Sequence, residues 1–167
     1  NKKYKNWNDL LYYCKFSANP VGRFVIDALN ERKNIEKIYE ASDSLCTALQ
    51  IINHIQDCKK DFKELNRVYI PESFFKKYSL DKKILRKSKS GENFERLKIE
   101  IIDNVLTSLR KTKLGLREIQ SWRLRKETLI ILNIAKRLCN LLKINDPLEK
   151  QIKLSRIDFI FCFFKGI

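Results

Sequence analysis

The sequence predicts an all-α protein. Only four glycines and three prolines occur in 167 residues, which argues against a β fold with many tight turns. Apolar residues recur at intervals of three and four along several stretches, which is the spacing of one helix face. Hydrophobic residues make up 44% of the chain and charged residues 33%, a composition typical of a globular protein with one core.

The first 30 residues predict two helices with a break between them. Residues 1–16 have the apolar pattern of a helix end, and residues 21–30 have that of a second helix. Pro20 lacks an N–H group and disfavours helix at Asn19. Gly22 permits the close approach of another backbone or of a ligand chain. An ordinary corner between helices and a segment that lines a cavity both explain this pattern.

Residues 42–61 predict the central helix, which begins at Ala41 or Ser42 after a polar connection, or first helical turns, at residues 31–40. At about 100° per residue, apolar side chains cover most of its circumference, as is typical of a buried helix. A single stripe is polar. It consists of Asp43, Cys46, Thr47, Gln50, Asn53, His54, Asp57 and Asp61.

Two carboxylates in this stripe indicate a metal site. Asp57 and Asp61 are four residues apart, so their side chains are neighbours on one helix face. Adjacent carboxylates in a low-dielectric site repel each other unless a cation lies between them, and oxygen ligands suit Mg²⁺. The alternative is a solvated helix face. Lys and Arg supply 35 of 167 residues, but none occurs from residue 38 to residue 58, which favours the metal site.

Short connections and two longer helices follow. Residues 67–71 are predicted to be extended because Pro71 biases the preceding residue away from helix, and residues 71–78 form a short helical turn. Residues 79–93 contain a basic run, serines and a glycine, which predicts an exposed, mobile loop. Residues 94–112 form a helix. Its shared apolar face comprises Leu97, Ile101, Val105 and Leu109.

After a break around Gly115, a long helix is predicted from Glu118 or Ser121 to Leu142 and ends before Pro147. Its expected buried residues are Leu124, Leu129, Ile131, Leu132, Ile134, Ala135 and Leu138.

Residues 153–164 predict a last helix with a strongly apolar run, Phe-Ile-Phe-Cys-Phe-Phe. This run is far too short to span a membrane. Packing in the core is favoured. Because Lys153, Arg156 and Lys165 lie beside it, contact with a bilayer surface is the alternative.

The net charge of +15 suggests an anionic partner, namely nucleic acid, an anionic membrane or a phosphorylated substrate. A composition rich in Lys, Asn and Ile gives the same charge without any binding role. The five cysteines are odd in number and form no C-x-x-C pair, and no secretory signal is visible. We therefore expect reduced thiols and a cytoplasmic protein, with possible peripheral contact with the membrane.

Two stretches carry a family resemblance. Gln50-x-x-Asn53-x-x-x-Asp57-x-x-x-Asp61, followed by Arg67-Val68-Tyr69-Ile70-Pro71, resembles the second aspartate-rich motif of squalene and phytoene synthases. The segment from Tyr12 to Arg23, with Tyr-Cys followed by Ser-Ala-Asn-Pro-Val-Gly, resembles a second signature of these head-to-head prenyl synthases. Together with Gln56 before Asp57, it is most similar to the bacterial hopanoid-pathway branch of squalene and hydroxysqualene synthases.

This resemblance implies an isoprenoid-synthase-type helical bundle with a central cavity. It implies an enzyme of isoprenoid biosynthesis, leading to squalene and hopanoids or to carotenoids, that transfers prenyl groups with Mg²⁺-assisted loss of diphosphate. The implied substrate is farnesyl, presqualene or geranylgeranyl diphosphate. The implied site residues are Tyr13 as catalytic residue; Gln50, Asn53, Arg67 and Tyr69 as substrate-binding residues; and Asp57, Asp61 and Asn53 as metal ligands.

The first aspartate-rich motif of the family is not found in the chain. We therefore interpret residues 1–167 as the C-terminal portion of one synthase domain, without its N-terminal helices. We expect that it is inactive until the N-terminal half is supplied, in cis or as a separate chain. The alternative function is that of a basic helical protein that binds nucleic acid or a membrane surface. A buried carboxylate stripe without cations gives no advantage to a nucleic-acid-binding protein, so we expect no nucleic acid partner.

Overall fold

The computed structural model describes residues 3–166, and within them it contains eight α-helices and two short 3-10 helices but no strand. The prediction of an all-α fold is confirmed. The α-helices are α1 Trp7–Ser17, α2 Asn19–Ala28, α3 Ile35–Gln56, α4 Cys58–Leu65, α5 Glu72–Lys77, α6 Glu92–Gly115, α7 Trp122–Ile144 and α8 Arg156–Phe164, and the 3-10 helices are Lys82–Arg86 and Leu116–Glu118. The predicted first helix included Asn1 and Lys2, which lie outside the described residues.

Helix α3 is the centre of the bundle. It packs against α1, α2, α6 and α7, and α8 packs on α7. The predicted apolar face of α6 is fully buried, as are most apolar residues of α3. Burying one such side chain contributes about 1.5–3 kcal/mol relative to exposure, so the α3–α6 contact is a principal source of stability.

Of the two alternatives for residues 31–40, the structure shows the first turns of the central helix, because α3 begins at Ile35. Asn34, just before it, adopts the left-handed conformation with a φ of 53° that asparagine tolerates. The predicted end at Asp61 is wrong: α3 ends at Gln56, because Asp57 leaves helical geometry with a φ of −101° and a ψ of 8°, and α4 starts at the next residue. Asp is a poor helix former, which makes it a natural position for this bend.

A break between α1 and α2 is present as predicted and lies at Ala18, but the expectation that Pro20 disfavours helix at Asn19 is wrong. Helix α2 starts at Asn19 rather than at residue 21, because proline is accommodated in the first turn, where its missing N–H group is not needed. Residues 67–71 are non-helical and α5 follows them, as expected. The predicted exposed loop at residues 79–93 is partly wrong, because the 3-10 helix Lys82–Arg86 buries Ile84 and Leu85.

The long helix α7 ends before Pro147 as predicted, with Leu124, Leu132 and Ala135 buried. Ile131 was expected in the core but is 40% exposed. The predicted core position of the last apolar run is also wrong for the described residues. Helix α8 begins at Arg156, and of its apolar residues only Cys162 is buried.

Candidate functional site

The polar stripe of α3 divides into two parts, and α2 covers the first. Arg23 forms two hydrogen bonds to the Asp43 carboxylate, at 3.0 and 2.6 Å. Thr47 donates to the buried Asn19 side chain at 3.0 Å. Gly22 lies so close to α3 that a Cβ atom there would overlap Ser42 and approach the Cys46 sulfur to 2.7 Å. The glycine therefore allows the close approach that its position predicts, and this half of the stripe is satisfied within the protein.

The second part of the stripe is open to ligands. The backbone N–H of Asp57 donates to the Asn53 carbonyl at 2.9 Å, and that of Asp61 donates to the Asp57 carbonyl at 2.8 Å. The helical hydrogen-bond spacing thus continues across the bend, and the three side chains follow one another at intervals of one turn. Asn53 is exposed, and the two aspartates are half-buried.

The electrostatics of the two aspartates favour a cation. Neither carboxylate forms an ion pair within residues 3–166. Burial, reinforced by the negative charge of Asp57, raises the pKa of Asp61 above its ordinary value. A divalent cation beside the pair would relieve this repulsion.

An aromatic cluster lies beside the C-terminal end of α3. The rings of His54 and Tyr69 stack with centroids 3.5 Å apart and planes at 8°, and Tyr13 lies 5.9 Å from Tyr69. An amide nitrogen only donates, so the Gln50 side chain donates to Nε2 of His54 across 3.2 Å. Burial lowers the pKa of His54 to about 4, which keeps the imidazole neutral at physiological pH. His54 thus connects Gln50 to Tyr69.

Tyr13 and Tyr69 of this cluster form part of the wall of a cavity of about 520 Å³. Burial raises the pKa of Tyr13, so that its phenol is protonated at neutral pH. Burial also raises the pKa of Tyr4, to about 12. The Arg67 side chain is exposed beside the Tyr69 hydroxyl, which raises the pKa of the guanidinium. The lining residues are Lys3, Tyr4, Tyr13, Asn66, Arg67, Val68, Tyr69, Ile70, Glu72, Phe75 and Lys82.

The structure brings the predicted site residues together in two adjoining groups. Tyr13, Arg67 and Tyr69 line the cavity, and Gln50 contacts His54, which stacks on Tyr69 without lining the cavity itself. Asn53, Asp57 and Asp61 do not line it. Asp57 borders a smaller cavity of about 300 Å³ with three lysines of the α4 region. The groups meet where the backbone N–H of Arg67 donates to the Asp61 carbonyl at 3.0 Å.

The donor set fits part of a magnesium shell. Two carboxylates and the Asn53 amide oxygen are the hard ligands that Mg²⁺ prefers, and this ion commonly keeps several waters. Nowhere in residues 3–166 do three or more His, Cys, Asp or Glu side chains gather in a group that could hold a metal. Within the described part of the chain, these residues would therefore hold the ion together with the substrate or other ligands.

Two residues that contact Tyr13 and Tyr69, namely His54 and Tyr4, were not assigned roles from the sequence. His54 belongs to the predicted polar stripe, and its position four residues after Gln50 was the signal for their contact. Tyr4 lies outside every predicted motif. It reaches the cavity because its carbonyl accepts a hydrogen bond of 2.8 Å from the backbone N–H of Glu72, which fixes the N-terminal segment against the start of α5.

Comparison with known proteins places these features in a family. The squalene/phytoene synthase family model matches residues 1–158. Hydroxysqualene synthase from Sinorhizobium fredii is 35% identical over 159 residues, which cover 95% of this chain and 53% of that protein. Hydroxysqualene synthase from Zymomonas mobilis is 37% identical over 151 residues, which cover 90% of this chain and 50% of that protein. The chain thus spans about half the length of the curated relatives it matches.

Solved structures show the same fold. Squalene synthase HpnC from Alicyclobacillus acidocaldarius superposes with a TM-score of 0.76 at 25% identity, covering 84% of this chain and 52% of that one. A dehydrosqualene synthase superposes with a TM-score of 0.88 at 17% identity, covering 99% of this chain and 58% of that one. The predicted isoprenoid-synthase-type helical architecture is therefore confirmed.

Proposed function

The chain belongs to the squalene/phytoene synthase family, and we propose that it supplies one carboxylate helix and the adjoining cavity wall of an enzyme that acts on prenyl or presqualene diphosphate. The observation that carries this proposal is the open stripe of Asn53, Asp57 and Asp61, whose carboxylates have no ion-pair partner in the described residues. The divalent counter-ions of a diphosphate supply the positive charge that such a stripe lacks.

Asn53, Asp57 and Asp61 would hold the magnesium. When bound, this ion neutralises the diphosphate and makes it a better leaving group. The bend at Asp57 fits the proposed role. It keeps the carboxylates of Asp57 and Asp61 one helical turn apart, while α4 leads the chain to residues 66–69.

Arg67 and Tyr13 would act on the substrate itself. The backbone N–H of Arg67 donates to the Asp61 carbonyl, which holds Arg67 next to this metal ligand. Its exposed guanidinium would therefore pair with a diphosphate oxygen beside the metal. The protonated phenol of Tyr13 donates a hydrogen bond to an oxygen of the diphosphate. Tyr69, held by the His54 stack, sets the position of the Arg67 side chain.

The cavity would hold the start of the prenyl chain. Its wall combines the aromatic residues Tyr4, Tyr13 and Phe75 with the aliphatic residues Val68 and Ile70. The electron-rich ring faces would stabilise a carbocation, and the wall would exclude water from it once the N-terminal half of the domain closes the cavity. The family match favours this function over that of a basic helical protein whose main role is to bind nucleic acid or a membrane surface.

Calorimetric titration of the chain with inorganic pyrophosphate tests this proposal. We expect binding with Mg²⁺ and little binding without it. The double substitution Asp57→Asn/Asp61→Asn should abolish the dependence on Mg²⁺, because the neutral amides no longer attract the cation.

The matched control is Glu64→Gln/Glu149→Gln, which removes two exposed carboxylates of the same region and should leave the titration unchanged. Magnesium-dependent binding that persists in the aspartate double variant would rule out the metal assignment. Loss of the Mg²⁺-dependent binding in the control as well would show that carboxylates of this region in general, rather than the stripe, attract the cation, and would contradict the assignment.

A further inference from the structure

Helix α8 is held on the bundle along a single line. The Asp158 carboxylate accepts a hydrogen bond from Nε of Arg137 at 2.7 Å, and Cys162 is buried one turn further on. At the end of this line, Gly166 lies against Ile130, where a Cβ atom would be 2.6 Å from the isoleucine side chain. A capping box between Ser155 and Asp158 fixes the start of the helix. Helix α8 is therefore well formed and anchored on α7.

The remaining circumference of α8 is apolar and exposed. Six large side chains on this nine-residue helix are between 49% and 77% exposed. They are Ile157, Phe159, Ile160, Phe161, Phe163 and Phe164. A contiguous apolar surface of this kind marks an interaction site.

Cations surround this surface. Lys153 and Arg156 lie at the start of α8, and Lys165 lies at its end, with its ammonium group 5.8 Å from the centre of the Phe161 ring. Burial, together with the charges of Lys113 and Lys165, lowers the pKa of Lys136. The only carboxylate of α8, that of Asp158, is paired with Arg137. The surface thus presents a net positive charge.

The same pattern continues along α7 beyond the end of α8. Trp122, Lys126 and Ile130 are spaced four residues apart, so they lie on one face of the helix. Ile130 contacts Gly166, and Trp122 is 65% exposed with the Lys126 ammonium 5.2 Å from its ring centre. An exposed Trp–Lys pair therefore extends the α8 surface.

We propose that α8, together with Trp122 and Lys126, forms a docking surface for an anionic lipid bilayer. Phenylalanine and tryptophan side chains enter the boundary between headgroups and acyl chains, while lysine and arginine remain among the anionic headgroups. The helix lies in the plane of the membrane surface. No helix of the described residues is long and apolar enough to cross a bilayer. This inference is independent of the proposed function.

Charge complementarity decides in favour of a lipid surface over a second copy of the chain. Two α8 surfaces in contact would place Lys153, Arg156 and Lys165 of both copies together, which is unfavourable. A second exposed apolar surface, formed by α1 and α2, packs on α3 instead of α7, and there Arg23 is paired with Asp43. It provides a natural control.

Co-sedimentation with lipid vesicles tests the inference. The chain should bind vesicles that contain equal parts of phosphatidylglycerol and phosphatidylcholine, bind pure phosphatidylcholine much more weakly, and dissociate as salt is added. The variant Ile160→Ser/Phe161→Ser removes two exposed side chains of α8 and should lower the partition coefficient at least about tenfold. The matched variant Val21→Ser/Phe24→Ser removes two similarly exposed side chains of α2 and should bind like the unchanged chain.

Tryptophan fluorescence gives a second readout. Anionic vesicles should shift the emission to the blue, and Trp122→Phe should remove this shift. The other tryptophan, Trp7, lies at the start of α1, where it packs edge-on against Phe74. Circular dichroism checks that each variant is folded. Asp57→Asn/Asp61→Asn should bind vesicles normally, which separates this inference from the diphosphate proposal.

Three results would overturn the inference. The first is equal binding to neutral and anionic vesicles. The second is an equal loss of binding in the α2 variant. The third is a dimer in sedimentation equilibrium that the α8 variant dissociates, because a second copy would then occupy the surface.

Discussion

At the scale of single residues, His54 shows how burial determines chemistry. Its ring stacks on Tyr69 with parallel planes, accepts a hydrogen bond from Gln50 and lies near Tyr13. It is the only histidine in the chain, and no carboxylate contributes to its lowered pKa. The imidazole is therefore a neutral spacer that orients Tyr69, and protonation would place an uncompensated charge among aromatic rings.

This environment predicts a pH dependence of stability. The unfolded chain binds a proton at His54 near pH 6.5, whereas the folded chain binds it only near pH 4. Between these values the unfolded state holds more protons, so the stabilisation is complete above about pH 6.5 and is lost as the pH falls towards 4. Urea unfolding should show a loss of roughly 1–2 kcal/mol between pH 7 and pH 5 from this group.

The variant His54→Phe isolates this contribution. Phenylalanine retains a ring on Tyr69 and cannot titrate, so the same pH change should cost the variant correspondingly less. Equal pH dependence of the two proteins would contradict a neutral, buried His54.

At the scale of elements, α2 packs closely against α3 at Gly22. The Gly22→Ala variant gains helix propensity worth about 1 kcal/mol but places a Cβ atom against Ser42 and Cys46. Overpacking dominates, and we expect a net destabilisation of about 1–3 kcal/mol in chemical denaturation. Gly91→Ala serves as control, because no atom lies within 4 Å of a Cβ there. If Gly22→Ala were as stable as the parent chain, α2 and α3 would have moved apart without loss of free energy of unfolding, and the prediction would be wrong.

Periodicity predicts those elements whose apolar residues face one core. Leu97, Ile101, Val105 and Leu109 thus located α6 correctly, and all four are buried. The start of α3 was left open between two alternatives because residues 31–40 are mostly polar. The bend at Asp57 was missed because it preserves the spacing of the carboxylates. Helix α8 was misjudged because an apolar run has the same sequence whether a core or another surface covers it.

The same reasoning applies to the candidate site. The sequence predicts the stripe of Asn53, Asp57 and Asp61 because they recur every turn of one helix. It does not reveal that Asp43 is neutralised by Arg23, because these residues lie on different helices. Nor does it locate Tyr4, which meets the cavity only through the tertiary fold.

At the scale of the whole molecule, the cations are unevenly distributed among the helices. The chain carries a net charge of +15, but α3 contains only one cation, Lys37, in its first turn. Cations are frequent on α4, α6, α7 and around α8, and three lysines of α4 line a cavity together with Asp57. The carboxylate stripe therefore lies at the border between the cation-poor helix α3 and a cationic exterior that would attract an anion.

The length of the relatives leads to a prediction about catalysis. With Mg²⁺ and farnesyl or presqualene diphosphate, the 167-residue chain alone should give no squalene, hydroxysqualene or phytoene above the enzyme-free control. It contains one aspartate-rich motif and spans about half of each curated relative, so the cavity is expected to be open and water would trap a carbocation as a simple alcohol. Lipid extraction and mass spectrometry measure the products.

Addition of the N-terminal segment, fused in front of the chain or supplied as a second chain, should produce turnover. Formation of a coupled product by the 167-residue chain at an ordinary enzymatic rate would contradict this interpretation. Another group of the chain would then have to replace the first aspartate-rich motif.

Paramagnetic nuclear magnetic resonance tests the location of the metal most directly. Mn²⁺ in place of Mg²⁺, with inorganic pyrophosphate, should broaden the amide signals of Asn53, Asp57, Asp61 and Arg67 most strongly and leave that of Trp122 sharp. Asp57→Asn/Asp61→Asn should abolish this selective broadening. Broadening centred on another part of the chain, or unchanged in the double variant, would contradict the assignment of the diphosphate and metal site to the junction of α3 and α4.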